Sequence, residues 1–283
     1  MIEPNPIGIR DLLARYDGVL LDVFGVLLDA SGPLPGAREL VAELDRRALP
    51  YAIVTNDASR SAATYVARCA GYGMTIAADR FVTSGSLLPG YIRDHGLAGA
   101  RTLVLGTADS FAYVREGGAI AVAPDANIDI DAIAVCDDDG YEFLSGVEHA
   151  LSALVRAVEA GRAPALILPN PDLVYPKGGG ELGFTAGAVA LLLEAALARR
   201  FPGHALAFVH LGKPEPQLFV EAARGLAIAP ARLVMIGDQL ETDIAGAHAA
   251  GMATALLSGI TSWTHARATT RVAPQYLLDT LVM

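Results

Sequence analysis

Six polar side chains in this sequence stand where an apolar block has just ended or soon after one. Gly18-Val-Leu-Leu precedes Asp22, Ala52-Ile-Val precedes Thr55, Ala207-Phe-Val-His-Leu-Gly precedes Lys213, Leu233-Val-Met-Ile-Gly precedes Asp238, and Thr242-Asp243 follow closely. The residue types are complementary. Asp22 and Asp238 can supply oxygen ligands to Mg²⁺, a hard cation usually held by one or two carboxylates with water and substrate phosphate. Lys213 supplies a fixed positive charge and Thr55 a hydroxyl. Phosphoryl transfer gathers negative charge on three equatorial oxygens and needs this combination of hard cation, fixed positive charge and small donors. A carboxylate can also attack phosphorus itself, giving an aspartyl-phosphate that water then hydrolyses. On its own stretch, Asp22 reads equally well as a turn residue capping whatever follows.

The elements that must position these groups are legible in the apolar spacing. Val19 to Leu21 is a short continuous apolar block, the pattern of a fully buried strand in a parallel sheet, and Gly25 breaks it. Asp22 then falls at the strand's carboxyl end, where open α/β sheets form their ligand crevice. Leu40, Val41 and Leu44 predict a helix over Ala37–Arg47, leading to a strand over Tyr51–Val54. Ser59 is expected to cap the next helix, with Tyr65, Val66 and Cys69 facing inward, and Phe81–Ser84 reads as a further strand. From Ser86 to Thr185 the pattern restarts with a helix, strands at Arg101–Leu105 and Ala132–Cys136, a helix over Leu144–Glu159 and a strand at Ala165–Leu168. Strands alternating with helices imply a second α/β unit. The remaining chain predicts a helix at Ala188–Arg199, the Lys213 loop, a helix at Gln217–Leu226, a strand at Leu233–Ile236, a helix at Ile244–Ala250 and a strand at Ala253–Leu257. Gly251 serves as the stop before that last strand.

Composition bounds the function. The chain has 283 residues, 53% of them hydrophobic, and a mean hydropathy of +0.40, enough for a substantial core and a second module. A formal charge of −10 argues against a nucleic-acid surface. The opening residues carry no basic region ahead of an apolar run, and Glu194 interrupts the run from Ala188 to Ala198. Neither a signal peptide nor a membrane span is expected. Two cysteines, Cys69 and Cys136, are too few for a disulfide framework and suit a reducing cytoplasmic location. Of the 21 basic residues all but Lys177 and Lys213 are arginine, which fits codon bias. Under such a bias a retained lysine marks a place where a compact point charge is needed.

Asp22, Thr55, Lys213 and Gly237-Asp238 with Thr242-Asp243, in that order and each after a predicted strand, resemble the four motifs of the haloacid dehalogenase-like hydrolase superfamily. Thr55-Asn-Asp-Ala-Ser-Arg60 is similar to its class IIA, NagD-like branch. The resemblance implies a three-layer Rossmannoid core with a parallel sheet over residues 1–85 and 186–283, and an inserted C2-type α/β cap over 86–185. Asn170-Pro-Asp172 looks like that branch's Asn-Pro-Asp segment, and Tyr175-Pro-Lys-Gly-Gly-Gly180 like a loop returning to the core. Lys177 in that loop can face an anionic substrate or be a solvated hinge residue. The resemblance makes Asp22 the nucleophile and assigns Mg²⁺ to Asp22, the backbone carbonyl of Phe24 and Asp238, with Asp243 a direct or an indirect ligand. It places Thr55, Asn56, Lys177 and Lys213 around the substrate, and a homodimer is the assembly it suggests.

The sequence departs from that pattern at Phe24, where phosphatases of the family carry a second Asp as general acid and base. Phenylalanine can neither give nor take a proton, and such help is typically worth about 10²–10⁴-fold in rate. The favoured reading is therefore a Mg²⁺-dependent phosphohydrolase acting on a small phosphorylated metabolite such as a sugar phosphate or aryl phosphate. It would be slow on poor leaving groups, or would recruit a donor such as Asp57 or one of Asp137 to Asp139. Two alternatives stand beside it: a non-enzymatic phospho-ligand-binding module, and a dehalogenase, which would need no metal.

Overall fold

The computed structural model describes residues 3–258, 263 and 272–283; Met1 and Ile2, part of the opening segment read for a leader, lie outside them. Chain contacts separate residues 1–55, 62–82 and 213–283 from residues 56–61 and 83–212.

The first unit is built on a seven-stranded sheet of order β1-β16-β15-β14-β2-β5-β6. Its strands are β1 (Asn5–Pro6), β2 (Gly18–Leu21), β5 (Tyr51–Thr55), β6 (Phe81–Thr83), β14 (Leu233–Gly237), β15 (Ala253–Leu257) and β16 (Tyr276–Leu278). Three adjacent strands, β14, β2 and β5, are buried along their whole length, as their apolar blocks require. All three run parallel, with Leu21 level with both Ile236 and Ile53. Their carboxyl ends therefore emerge together. A short hairpin of β3 (Leu28–Asp29) and β4 (Gly32–Pro33) follows β2. Helices α1 (Ile9–Leu13), α2 (Ala37–Arg46), α3 (Ala62–Gly71), α8 (Gln217–Leu226) and α9 (Ala245–Ala249) complete the unit. Ala37, Leu40, Val41 and Leu44 of α2, and Tyr65 and Cys69 of α3, are buried in its core.

The second unit carries a five-stranded parallel sheet of order β13-β10-β9-β7-β8. These strands are β7 (Arg101–Leu105), β8 (Ile120–Val122), β9 (Ala132–Val135), β10 (Ala165–Leu168) and β13 (Val209–His210). Helices α4 (Leu88–Asp94), α5 (Ala108–Glu116), α6 (Phe143–Glu159) and α7 (Ala186–Arg200) pack around it. A separate antiparallel hairpin is formed by β11 (Val174–Gly178) and β12 (Glu181–Phe184).

Four expectations are corrected. The second unit extends to Gly212, not Thr185. Helix α7 buries Val189, Ala190, Leu193 and Leu197 in the same cluster as Leu103, Ile133 and Leu168, and β13 extends the sheet beside β10. Residues 56–61, expected in the core, belong to the second unit because side chains of that unit bond their carbonyls. The segment around Lys177 is a hairpin strand, not a loop. Ser59 does not cap α3, which begins at Ala62; its N–H and hydroxyl both donate to Asp57 instead.

Candidate active site

The chain turns sharply where β2 ends, and the turn explains how two acids come close. Asp22 keeps the sheet's ladder through its N–H, which donates to the carbonyl of Ile236 at 3.1 Å. Three residues on, Gly25 adopts φ +88°, and a Cβ there would lie 2.3 Å from the Asp238 carboxylate. Only glycine admits both the left-handed backbone and that approach. Past β14, the wide turn Leu240–Ile244 is π-helical, with the Ile244 N–H reaching the carbonyl of Gln239. It swings Asp243 back beneath the strand end, where a Cβ on Gly237 would lie 2.3 Å from the Asp243 Cβ.

Lys213 joins this cluster from the segment preceding α8. Its ammonium donates to Asp22 Oδ1 at 2.8 Å and to Asp243 Oδ1 at 2.6 Å, with the Val54 carbonyl at 3.5 Å. Asp243 Oδ2 accepts from the Gln239 N–H at 3.2 Å. Asp238 differs from both. It is fully buried, and neither of its carboxylate oxygens has a hydrogen-bond partner among the described residues. Oxygens of Asp22, Asp238 and Asp243 lie within 4.8 Å of one another.

The electrostatics are unbalanced. Burial pushes the Asp22 carboxyl up to about 7, with Lys213 opposing and Asp243 adding repulsion. Burial, then Asp243 and Asp22, push Asp238 up to about 8. Burial alone would lower the Lys213 ammonium, but the two carboxylates it touches hold it above the ordinary lysine range. One positive charge thus faces three acids. A buried, unpartnered carboxylate is costly unless paired or bound to a metal, so the donor set fits a divalent cation. Asp238 and Asp22 are the residues that could hold such an ion, while Asp243 is bonded to Lys213 and to a backbone N–H.

The other predicted residues are placed as follows. Thr55 is buried at the end of β5, next to β2 in the sheet. Phe24 lies in the turn after β2, half-buried against the core, with the Arg68 guanidinium 5.2 Å from its ring centre. Asn56 and Lys177 belong to the second unit. Lys177 holds its ammonium 5.9 Å from the Tyr175 ring. Asn56 Nδ2 donates to Asp172 Oδ1 at 2.9 Å. Of the acids named as proton donors, Asp57 accepts from the Ser59 N–H and hydroxyl and from the Arg60 N–H and guanidinium. Asp137 is pushed up to about 7, chiefly by burial. Sequence reasoning missed the roles of Gly25, Gly237 and Asp172. The signals were a glycine three residues after Asp22, a glycine just before Asp238, and the Asn170-Pro-Asp172 turn.

A family model described as haloacid dehalogenase-like hydrolase matches residues 19–120, and a related hydrolase-like model matches 210–282. Chronophin from Mus musculus is 30% identical over 270 residues, covering 92% of this chain and 87% of that protein. The chain belongs to the haloacid dehalogenase-like hydrolases. A solved structure described as a possible sugar phosphatase of this superfamily, from Cytophaga hutchinsonii, superposes with a TM-score of 0.86 at 29% identity and 99% coverage of both chains. NagD from E. coli K-12 shares the fold, with a TM-score of 0.76 at 21% identity over 94% of this chain and 97% of that one. The chain is thus an enzyme of the hydrolase type, built from two α/β units. Among the described residues no helix is long and apolar enough to cross a membrane.

Proposed function

We propose that this hydrolase is a Mg²⁺-dependent phosphohydrolase acting on a small phosphorylated metabolite such as a sugar phosphate or an aryl phosphate. The observation that carries the reading is Asp238. A buried carboxylate with no donor beside two further acids and a charged lysine is a cation site in need of its ion. When bound, Mg²⁺ supplies a hard counter-charge and orients the phosphate oxygens. Asp22 and Asp238 would hold it, together with the Phe24 carbonyl. The Cytophaga hutchinsonii neighbour, described as a possible sugar phosphatase, supports the same substrate class.

Asp22 is the nucleophile. The hydrogen bond from Lys213 to its Oδ1 fixes the carboxylate's rotation, and the ammonium offsets the charge that develops as the Asp22–phosphorus bond forms and the ester bond breaks. The Thr55 hydroxyl is a small donor for a phosphate oxygen. Phe24 has no proton to give, so the leaving oxygen departs as an anion. Water then attacks phosphorus, breaks the bond to Asp22 and releases phosphate. The rate should therefore rise steeply with the acidity of the leaving group. Dehalogenation needs no cation and gives Asp238 no task.

The decisive assay is phosphate release from p-nitrophenyl phosphate with Mg²⁺ and with EDTA. Release with Mg²⁺ that EDTA abolishes is expected. Halide release from a haloacid, unchanged by EDTA and without phosphatase turnover, would replace the reading with a dehalogenase.

A further inference from the structure

Asn56 and Gly212 are the chain neighbours of the two phosphate-facing residues: Thr55 precedes Asn56, and Lys213 follows Gly212. Both neighbours belong to the second unit, and there they touch each other. Asn56 is only 3% exposed and is held from three sides. Its carbonyl accepts from the Ser84 hydroxyl at 2.6 Å. Its Nδ2 donates to Asp172 at 2.9 Å, a charge-assisted bond. Its Oδ1 packs on Gly212, where a Cβ would sit 2.5 Å from that oxygen and 2.4 Å from the Pro169 carbonyl.

The partners are themselves fixed. Asp172 sits in a tight turn in which its N–H donates to Asn170 Oδ1 at 3.0 Å, and Asn170 Nδ2 donates to the Thr185 hydroxyl at the start of α7. Gly212 follows β13, and the neighbouring Leu211 N–H bonds the Leu168 carbonyl at the end of β10. The contact between Asn56 and Gly212 is thus mounted on the sheet and on the first turn of a helix, and only a residue without a Cβ closes it.

We infer that Asn56 is a positioning residue: with Asp172 and Gly212 it forms a clasp that pins the backbone just after Thr55 to the backbone just before Lys213, and so sets the separation of the two groups that receive the phosphate. The sequence marks Asn56 as a substrate contact; the clasp gives it a different task, acting through Thr55 and Lys213. This inference rests on the reading of Thr55 and Lys213 as the phosphate-binding groups, and takes phosphatase turnover only as its kinetic assay.

The test exchanges the two partners of the hydrogen bond. Asn56→Asp sets two carboxylates against each other, Asp172→Asn sets two amides together, and the double variant N56D/D172N restores the bond with donor and acceptor reversed. Each is assayed for kcat and KM on p-nitrophenyl phosphate with saturating Mg²⁺, for affinity toward inorganic phosphate, and for melting temperature. Misplaced catalytic groups can cost up to roughly a hundredfold, so Asn56→Asp should lower kcat by roughly tenfold or more and weaken phosphate binding. Asp172→Asn should lose less, and the exchange should recover most of the loss. Gly212→Ala, whose Cβ would force the clasp open while Asn56 and Asp172 both remain, should reproduce the Asn56→Asp defect and serves in its place if that variant fails to fold. Wild-type kcat and phosphate affinity in folded Asn56→Asp or Gly212→Ala would overturn the inference, as would a folded double variant no better than Asn56→Asp. Should wild type show no phosphatase turnover, the phosphate affinities still decide the clasp, and the functional reading alone fails.

Discussion

Asp57 and Asp238 are two buried acids, each just beyond an apolar strand, and they have opposite surroundings. Asp57, in the second unit, is wrapped by the Ser59 N–H and hydroxyl at 2.7 Å each, the Arg60 N–H at 3.1 Å and the Arg60 guanidinium at 2.7 Å. Asp238, in the first unit, has no donor on either oxygen among the described residues. The protein itself satisfies the first carboxylate, which therefore holds a turn. It leaves the second one short, and the shortfall has the sign and coordination chemistry of a divalent cation. What separates a structural acid from a ligating one is the supply of donors, not burial, which the two share.

The largest break in this comparison should come from Asp238→Asn. Removing one of the two direct ligands is expected to abolish measurable Mg²⁺ binding by calorimetry and to lower phosphatase turnover by roughly 10³-fold, since a bound metal supplies several kcal/mol of charge stabilisation. The circular dichroism spectrum should be retained. Mg²⁺-dependent turnover at the wild-type level would remove Asp238 from the site. Lys213→Arg comes next. The guanidinium is planar and wide, whereas the ammonium fits between Asp22 and Asp243 as a point charge, so kcat should drop by about 10²-fold although charge is kept.

The comparison also predicts a pH signature in the metal-free protein. Asp22 and Asp238 hold protons up to about 7 and about 8, above the value near 4 of an unfolded carboxylate. Groups raised in this way favour the folded state at low pH, and that contribution is lost as pH rises through the folded values. In EDTA, wild type should therefore lose stability relative to Asp238→Asn between about pH 4 and pH 8, by roughly 1–3 kcal/mol at the upper end. Mg²⁺ should close the gap. Parallel pH profiles for the two proteins in urea unfolding would contradict the assignment. Asp57→Asn should do the reverse of Asp238→Asn. It loses the partner of Arg60, which should cost about 1–2 kcal/mol of stability while Mg²⁺ affinity stays at the wild-type value.

The smallest expected effect sharpens the comparison from the other side, by adding an acid to the crowded cluster. Phe24→Asp should raise the ratio of sugar phosphate to p-nitrophenyl phosphate turnover by roughly tenfold, less than general acid catalysis usually supplies. The new carboxylate would meet Arg68, now over the Phe24 ring, and repulsion from Asp22 and Asp238. An unchanged ratio, together with a wild-type rate indifferent to leaving-group acidity, would mean that another group already transfers the proton.

The sequence by itself determined the frame of the first unit and the candidate residues at its strand ends. Gly18–Leu21, Tyr51–Thr55 and Leu233–Gly237 are apolar without interruption, so each could only be a buried parallel strand, and parallel strands deliver the residues after them to one edge. Asp22, Thr55 and Asp238 were legible for that reason. Elements whose stability comes from pairing, not from burying their own side chains, left little trace. Strand β13 exposes both of its residues, and β11 and β12 expose Val174, Leu182 and Phe184, so no period set them apart from loops. The allegiance of residues 56–61 and 186–212 was hidden in the same way, because it rests on hydrogen bonds and packing from partners distant in the chain. Only the tertiary structure decided that Asp57 is satisfied and Asp238 is not, that Asp243 serves Lys213, and that Asn56 bonds Asp172. Each of these depends on which donor arrives from across the fold, a quantity that local spacing does not carry.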